Sequence, residues 1–167
     1  FADDFADADW DSILRRLFDG SVELVLHDAK PAVAALLARD IQPEGVKFDT
    51  CIAAYLIDPT QSGYDLPRVA LAYCNTELPV LDLDDPAAVS PLGGLEQAME
   101  ACAQHVSAVR AIYTEAADKI EQLGMRRLFY EIELPLLRIL AEMEVAGCAV
   151  APDELRAFGD KLDARIE

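Results

Sequence analysis

Two aspartates stand where parallel α/β folds place their chemistry. Asp28 follows the apolar run 22–26, and Asp49 follows the run 46–48. The carboxyl ends of parallel strands are where such folds bind ligands and set acids and bases. A carboxylate there is the right group to hold a hard divalent cation or to take a proton. It is equally suited to the N-cap of the next helix, where a side-chain oxygen accepts a backbone N–H that has no partner within the helix. Capping is the favoured reading for both residues, with metal ligation or base chemistry as the alternative.

Other groups imitate reactive patterns and have plainer explanations. Asp82-Leu83-Asp84 and Asp7-Ala8-Asp9 have the spacing of a metal-binding strand motif, but both lie among acids, alanines and prolines that suit a solvated segment. His27, at a strand end, has the proton affinity of a general base, although ordinary hydrogen bonding accounts for it. His105 has no nucleophile at helical spacing, since Ser107 is two residues away and points elsewhere. Arg126, Arg127 and Arg138 have the charge to meet a phosphate backbone; Arg126 and Arg127 more simply close a helix end or pair with Glu131. Gly93-Gly94 lacks the lysine and hydroxyl residue of a phosphate loop and suits a helix start. The four cysteines (Cys51, Cys74, Cys102, Cys148) have no C-x-x-C spacing, so a zinc site is not expected. Their apolar neighbours predict buried, reduced thiols.

Bulk composition narrows the function. Fourteen basic against thirty-one acidic residues give a net charge of −17, which opposes a phosphate backbone. Weak or no nucleic-acid binding is therefore expected of this chain alone. With 53% hydrophobic residues among 167, the chain can bury a real core. No apolar run approaches a membrane span, and nothing reads as a signal peptide. The first residue is Phe1, and the last lie within a helical pattern, so a fragment of a longer protein is expected.

The elements that must position these residues follow from periodicity. Trp10, Ile13, Leu14, Leu17 and Phe18 share a helical face, with Asp9 as N-cap and Gly20 as stop. Residues 22–26 predict a strand covered on both faces. A helix over 30–39, a strand over 46–48 and a helix over 51–57 complete a strand–helix–strand–helix order, which argues for parallel pairing. Residues 65–73 predict another helix, and 75–91 a long acidic connection. From Leu92 to Leu123 helical spacing persists for about eight turns, ended by Gly124. A further helix over 125–146 is bent near Pro135, and a last one opens at Pro152 and Asp153. Two strands make a poor sheet, so the missing strands are expected before Phe1.

The tail IELPLLRILAEMEVAG resembles the entry to the polymerase region of bacterial family A DNA polymerases, the DNA polymerase I type. LHDAKPAVAALLARDI, VKFDTCIAAYLIDP and YDLPRVALAYC resemble, in content and order, the second half of that family's 3′–5′ exonuclease domain. The resemblance implies an α/β chain with an incomplete ribonuclease H-like exonuclease fold, mostly helical with few short strands. Residues 1–124 would be the exonuclease-like domain without its N-terminal strands, and 125–167 the start of the polymerase region. It also implies a cytoplasmic DNA-directed DNA polymerase as the parent, a nucleotidyltransferase of replication and repair that acts on primer–template with Mg²⁺.

An active exonuclease of that family holds two divalent metals with four carboxylates, and the metals activate a water and stabilise the leaving oxygen. The first acidic pair would precede Phe1. Aligned through Asp28-Ala29-Lys30, the second acidic position falls on Ala32. The third motif, Tyr-x-x-x-Asp, falls on Cys102 and Val106. Hydrocarbon side chains cannot hold Mg²⁺, so the resemblance implies a degenerate site: no catalytic residue, no metal and no cofactor in this chain. The alternative is an active metal-dependent proofreading exonuclease that uses displaced carboxylates such as Asp28, Asp49 or Asp82.

Overall fold

The computed structural model describes residues 7–81 and 94–166, the first three as backbone only. Helix α1 (Asp7–Leu17) leads into strand β1 (Asp19–Leu26), helix α2 (Ala29–Leu37), strand β2 (Glu44–Asp49) and helix α3 (Thr50–Ile57). Helix α4 (Leu66–Cys74) precedes the long helix α5 (Leu95–Gln122). A short turn of helix α6 (Arg126–Leu128), a π-helical turn (Phe129–Glu133), α7 (Leu134–Ala146) and α8 (Pro152–Ile166) follow. The result is an α/β chain dominated by helices.

The β1–α2–β2 unit pairs its strands in parallel, as the element order requires, with Leu26 opposite Asp49. They form a two-stranded sheet among the described residues. Register slips between Asp19 and Val25. Beside that irregularity Gly45 adopts φ +85°, and a Cβ on it would stand 2.5 Å from the Val22 carbonyl oxygen. Only glycine permits that approach.

Several expectations are corrected here. Asp9 lies inside α1 rather than capping it, and Gly20 belongs to β1 rather than ending a helix. The strand is not covered on both faces: its first five residues are exposed and only Leu24–Leu26 are half-buried among the described residues. Cys148 is exposed, while Cys51, Cys74 and Cys102 are half-buried, since Cys148 follows the last turn that packs on the body. The predicted connection over 75–91 is irregular as far as Leu81; its remainder, including Asp82-Leu83-Asp84, lies outside the described residues, as do Gly93 and the side chains of Asp7 and Asp9.

The main core gathers Phe48 of β2, Ala53 and Ala54 of α3, Val69 and Ala70 of α4, and Ala108, Ile112, Ala116 and Ile120 of α5 around Phe129. The small residues of α3 and α4 let α5 approach closely, which fits the dense packing of a protein interior. Phe48 is the hub: its ring lies 4.5 Å from that of Phe129 and 4.8 Å from that of Tyr113. A second cluster joins Ala29 and Val33 of α2 to Leu137 and Ala141 of α7. The bend near Pro135 takes the form of the π-helical turn just before it, where the Leu134 N–H reaches back to the Phe129 carbonyl. Pro135 has no N–H to continue the α-helical ladder, so the wider turn accommodates the break.

Candidate functional site

The parallel register brings the ends of β1 and β2 together, so His27 and Asp28 sit beside Asp49 and Thr50. Asp49 is 1% exposed. Its Oδ1 accepts the N–H groups of Cys51 at 2.7 Å, Ile52 at 3.2 Å and Asp28 at 3.2 Å, and its Oδ2 accepts that of Ala29 at 2.7 Å. One carboxylate thus closes the starts of both α2 and α3, where two helix dipoles favour a negative charge. With four donors aimed at it, the Asp49 side chain is committed to the starts of both helices.

The capping expected of Asp28 is corrected. Its backbone is left-handed, φ 50°, and its side chain makes no cap hydrogen bond. That conformation turns the carboxylate outward and presents the Asp28 and Ala29 amides to Asp49 instead. Asp28 and Asp49 border a recess of about 190 Å³ with Lys30, Cys51 and Glu133. Burial pushes the Cys51 thiol up to about 11, helped by the nearby charge of Asp49. The thiol therefore stays protonated and unreactive.

His27 is tied to the same corner. Its Nδ1 lies 2.8 Å from the Thr50 hydroxyl, which donates to the Leu26 carbonyl at 3.2 Å. Thr50 spends its hydrogen on Leu26, so Nδ1 carries the proton and donates to Thr50. Nε2 is left buried without a hydrogen-bond partner. Burial lowers the pKa of His27 below its ordinary 6.5, opposed in part by the charges of Asp49, Asp28 and Asp65. The unfolded chain then binds the His27 proton more readily than the folded one. Stability from this residue is full above pH about 6.5 and declines as pH falls from there through the lowered folded value. We expect urea midpoints to drop between pH 7.5 and 5.5, with a shallower drop in His27→Asn.

Between β1 and α5 runs a cleft of about 480 Å³, bordered by Glu23, Val25, Leu26, His27, His105, Val106, Val109, Arg110 and Tyr113. Of the three positions aligned with acidic motifs, Val106 borders this cleft and is 69% exposed. Cys102 sits one turn earlier on α5, half-buried, and Ala32 is exposed on α2; neither is among the residues bordering the cleft. The ligand set that the fold implies does not fit these residues. Valine and alanine offer no donor atom, and no group of three metal-binding side chains converges among the described residues.

The remaining candidates are occupied locally. His105 Nδ1 lies 2.8 Å from the Ala101 carbonyl, and the Ser107 hydroxyl donates to the Ala103 carbonyl at 2.8 Å. Arg126 pairs with Glu121 and lies over the Tyr130 ring. Arg127 meets Glu131 at 3.1 Å. Arg138 donates to Glu142, to Glu44 and to Gln42 at 2.6 Å. These cations already have acidic or polar partners. The shared carboxylate of Asp49 was legible as one cap but not as two, because its second set of donors depends on strand register. No helix among the described residues is long and apolar enough to cross a membrane.

Comparison with known proteins shows which family has this fold. A family model described as the ribonuclease H-like domain of DNA polymerase I matches residues 2–80. DNA polymerase I of Mycobacterium tuberculosis is 34% identical over 167 residues, covering 96% of this chain and 18% of the relative. That of Bacillus subtilis is 31% identical over 144 residues, covering 84% of this chain and 16% of the relative. This chain thus spans about a sixth of the length of these curated relatives. A solved structure, the POL domain of Pol1 from M. smegmatis in complex with DNA primer-template and dNTP, superimposes with a TM-score of 0.75 at 28% identity, covering 97% of this chain and 26% of that one. The chain belongs to the bacterial family A DNA polymerases, the DNA polymerase I family, and carries an exonuclease-like domain of ribonuclease H-like fold.

Proposed function

We propose that this chain is a nuclease-derived scaffold within a DNA polymerase I, without metal or nuclease activity of its own. The observation that carries the reading is Val106, a hydrocarbon at the border of the cleft where the aligned motif calls for a metal-holding acid. The commitment of Asp49 to four backbone donors supports it, since the most central carboxylate is not available for ligation. Residues 1–124 are the exonuclease-like part and 125–167 the start of the polymerase region. The parent extends primers on DNA with Mg²⁺ and works in the cytoplasm. This chain, at a net charge of −17, contributes little of the DNA grip.

The test is a labelled primer with a 3′ mismatch, incubated with Mg²⁺ or Mn²⁺ and no nucleotides. With the parent protein the expected result is a primer of unchanged length, and with this chain alone no gel shift at physiological salt. Metal-dependent shortening that vanishes on Asp28→Ala would overturn the proposal.

A further inference from the structure

We infer that the mechanical joint of this chain lies at residues 147–151, and that α6, the π-helical turn and α7 are fixed to the exonuclease-like body. Two places along the tail look like joints, because a helix ends there on a glycine at φ +67°: Gly124 and Gly147. Their surroundings differ. At Gly124 the chain is tied down by backbone bonds from Gly124 to Glu121 and from Met125 to Ile120, which spans the glycine. The Arg126–Glu121 pair closes the same corner. Phe129, a few residues on, is fully buried in the main core.

The attachment continues along α7. Leu137 and Ala141 are buried against Ala29 and Val33 of α2. Arg138 reaches Glu44 and Gln42 beside β2. Lys30 of α2 pairs with Glu144 in the last turn. Apolar burial and paired charges thus hold α7 from its middle to its end. Rotating it as a separate unit would expose both clusters to water.

Beyond the Gly147 N–H, which still donates to the Met143 carbonyl at 3.0 Å, no hydrogen bond or ion pair back to the body is seen among the described residues. Residues 147–151 have no regular structure and are exposed. Helix α8 buries no residue, although it carries Leu155, Phe158 and Leu162, each at least 40% exposed. A single helix of 15 residues without tertiary packing is marginal in water. The packed body therefore ends at Ala146, and α8 joins it in this chain through residues 147–151. This rests on packing alone and holds whether or not the domain cleaves DNA.

Hydrogen exchange read by mass spectrometry on the 167-residue chain tests it. Peptides of α7 should be protected to the same degree as those of α3 and α5, within about threefold. Peptides over 148–166 should exchange more than about 100-fold faster, as local openings do relative to global ones. In Leu137→Ala, protection of α7 and α2 should fall together. Exchange of α7 at the rate of α8, or more than about tenfold faster than α5 in the wild-type chain, would place the joint at Gly124 and overturn the inference.

Discussion

Asp49→Ala is expected to remove a large share of the chain's stability, about 4 kcal/mol or more. Each buried N–H deprived of its acceptor costs about 1–3 kcal/mol, and bonds to a charged acceptor are at the stronger end. Four such donors converge on Asp49. Even with partial relaxation, the loss is about 4 kcal/mol or more, against a typical total of about 5–15 kcal/mol. Asp49→Asn keeps one oxygen in place, and asparagine is itself a good N-cap; its cost should be about 1–2 kcal/mol. Urea unfolding followed by far-UV circular dichroism measures both. A ligand or base role predicts the reverse pattern, with folding little changed in either variant.

Phe129→Ala ranks next. The side chain is fully buried, contacts the Phe48 ring at 4.5 Å and packs edge-on with Tyr130 at 4.8 Å. Removing a buried phenylalanine costs about 3–5 kcal/mol through lost transfer energy and the cavity left behind. In a chain of this size that lowers the melting midpoint by roughly 10 °C. Phe129→Leu refills most of the space and should cost about 1.5 kcal/mol. The near-ultraviolet signal of the Phe48, Tyr113 and Tyr130 cluster should weaken in step with the melting midpoint. An unchanged midpoint in Phe129→Ala would mean that this ring is not part of the core.

Much of the fold was legible because helical spacing and strand order are local signals. Ile112, Ala116 and Ile120 recur at one face of α5, and Pro135 announced a break in the helix that contains it. What sequence did not yield depends on contacts distant along the chain. Nothing near Asp49 announces that Asp28 and Ala29, some twenty residues earlier, will turn their amides onto it. Nothing near Arg138 points to Glu44 and Gln42, more than ninety residues away. The exposure of the first half of β1 was missed for a related reason: an apolar run shows that a strand is suited to cover, not that cover is present. At the site, Val106 was placed beside the cleft by helix register on α5 alone, while the position of Ala32 outside that cleft depends on how α2 leans towards α7.

The double duty of Asp49 constrains what evolution or an engineer can do with this corner. An acid that fastens two helices cannot be lent to a cation without loosening both. On the proposed reading, a metal site here would need new carboxylates on residues that border the cleft, such as position 106, several at once, since a lone acid grips magnesium poorly.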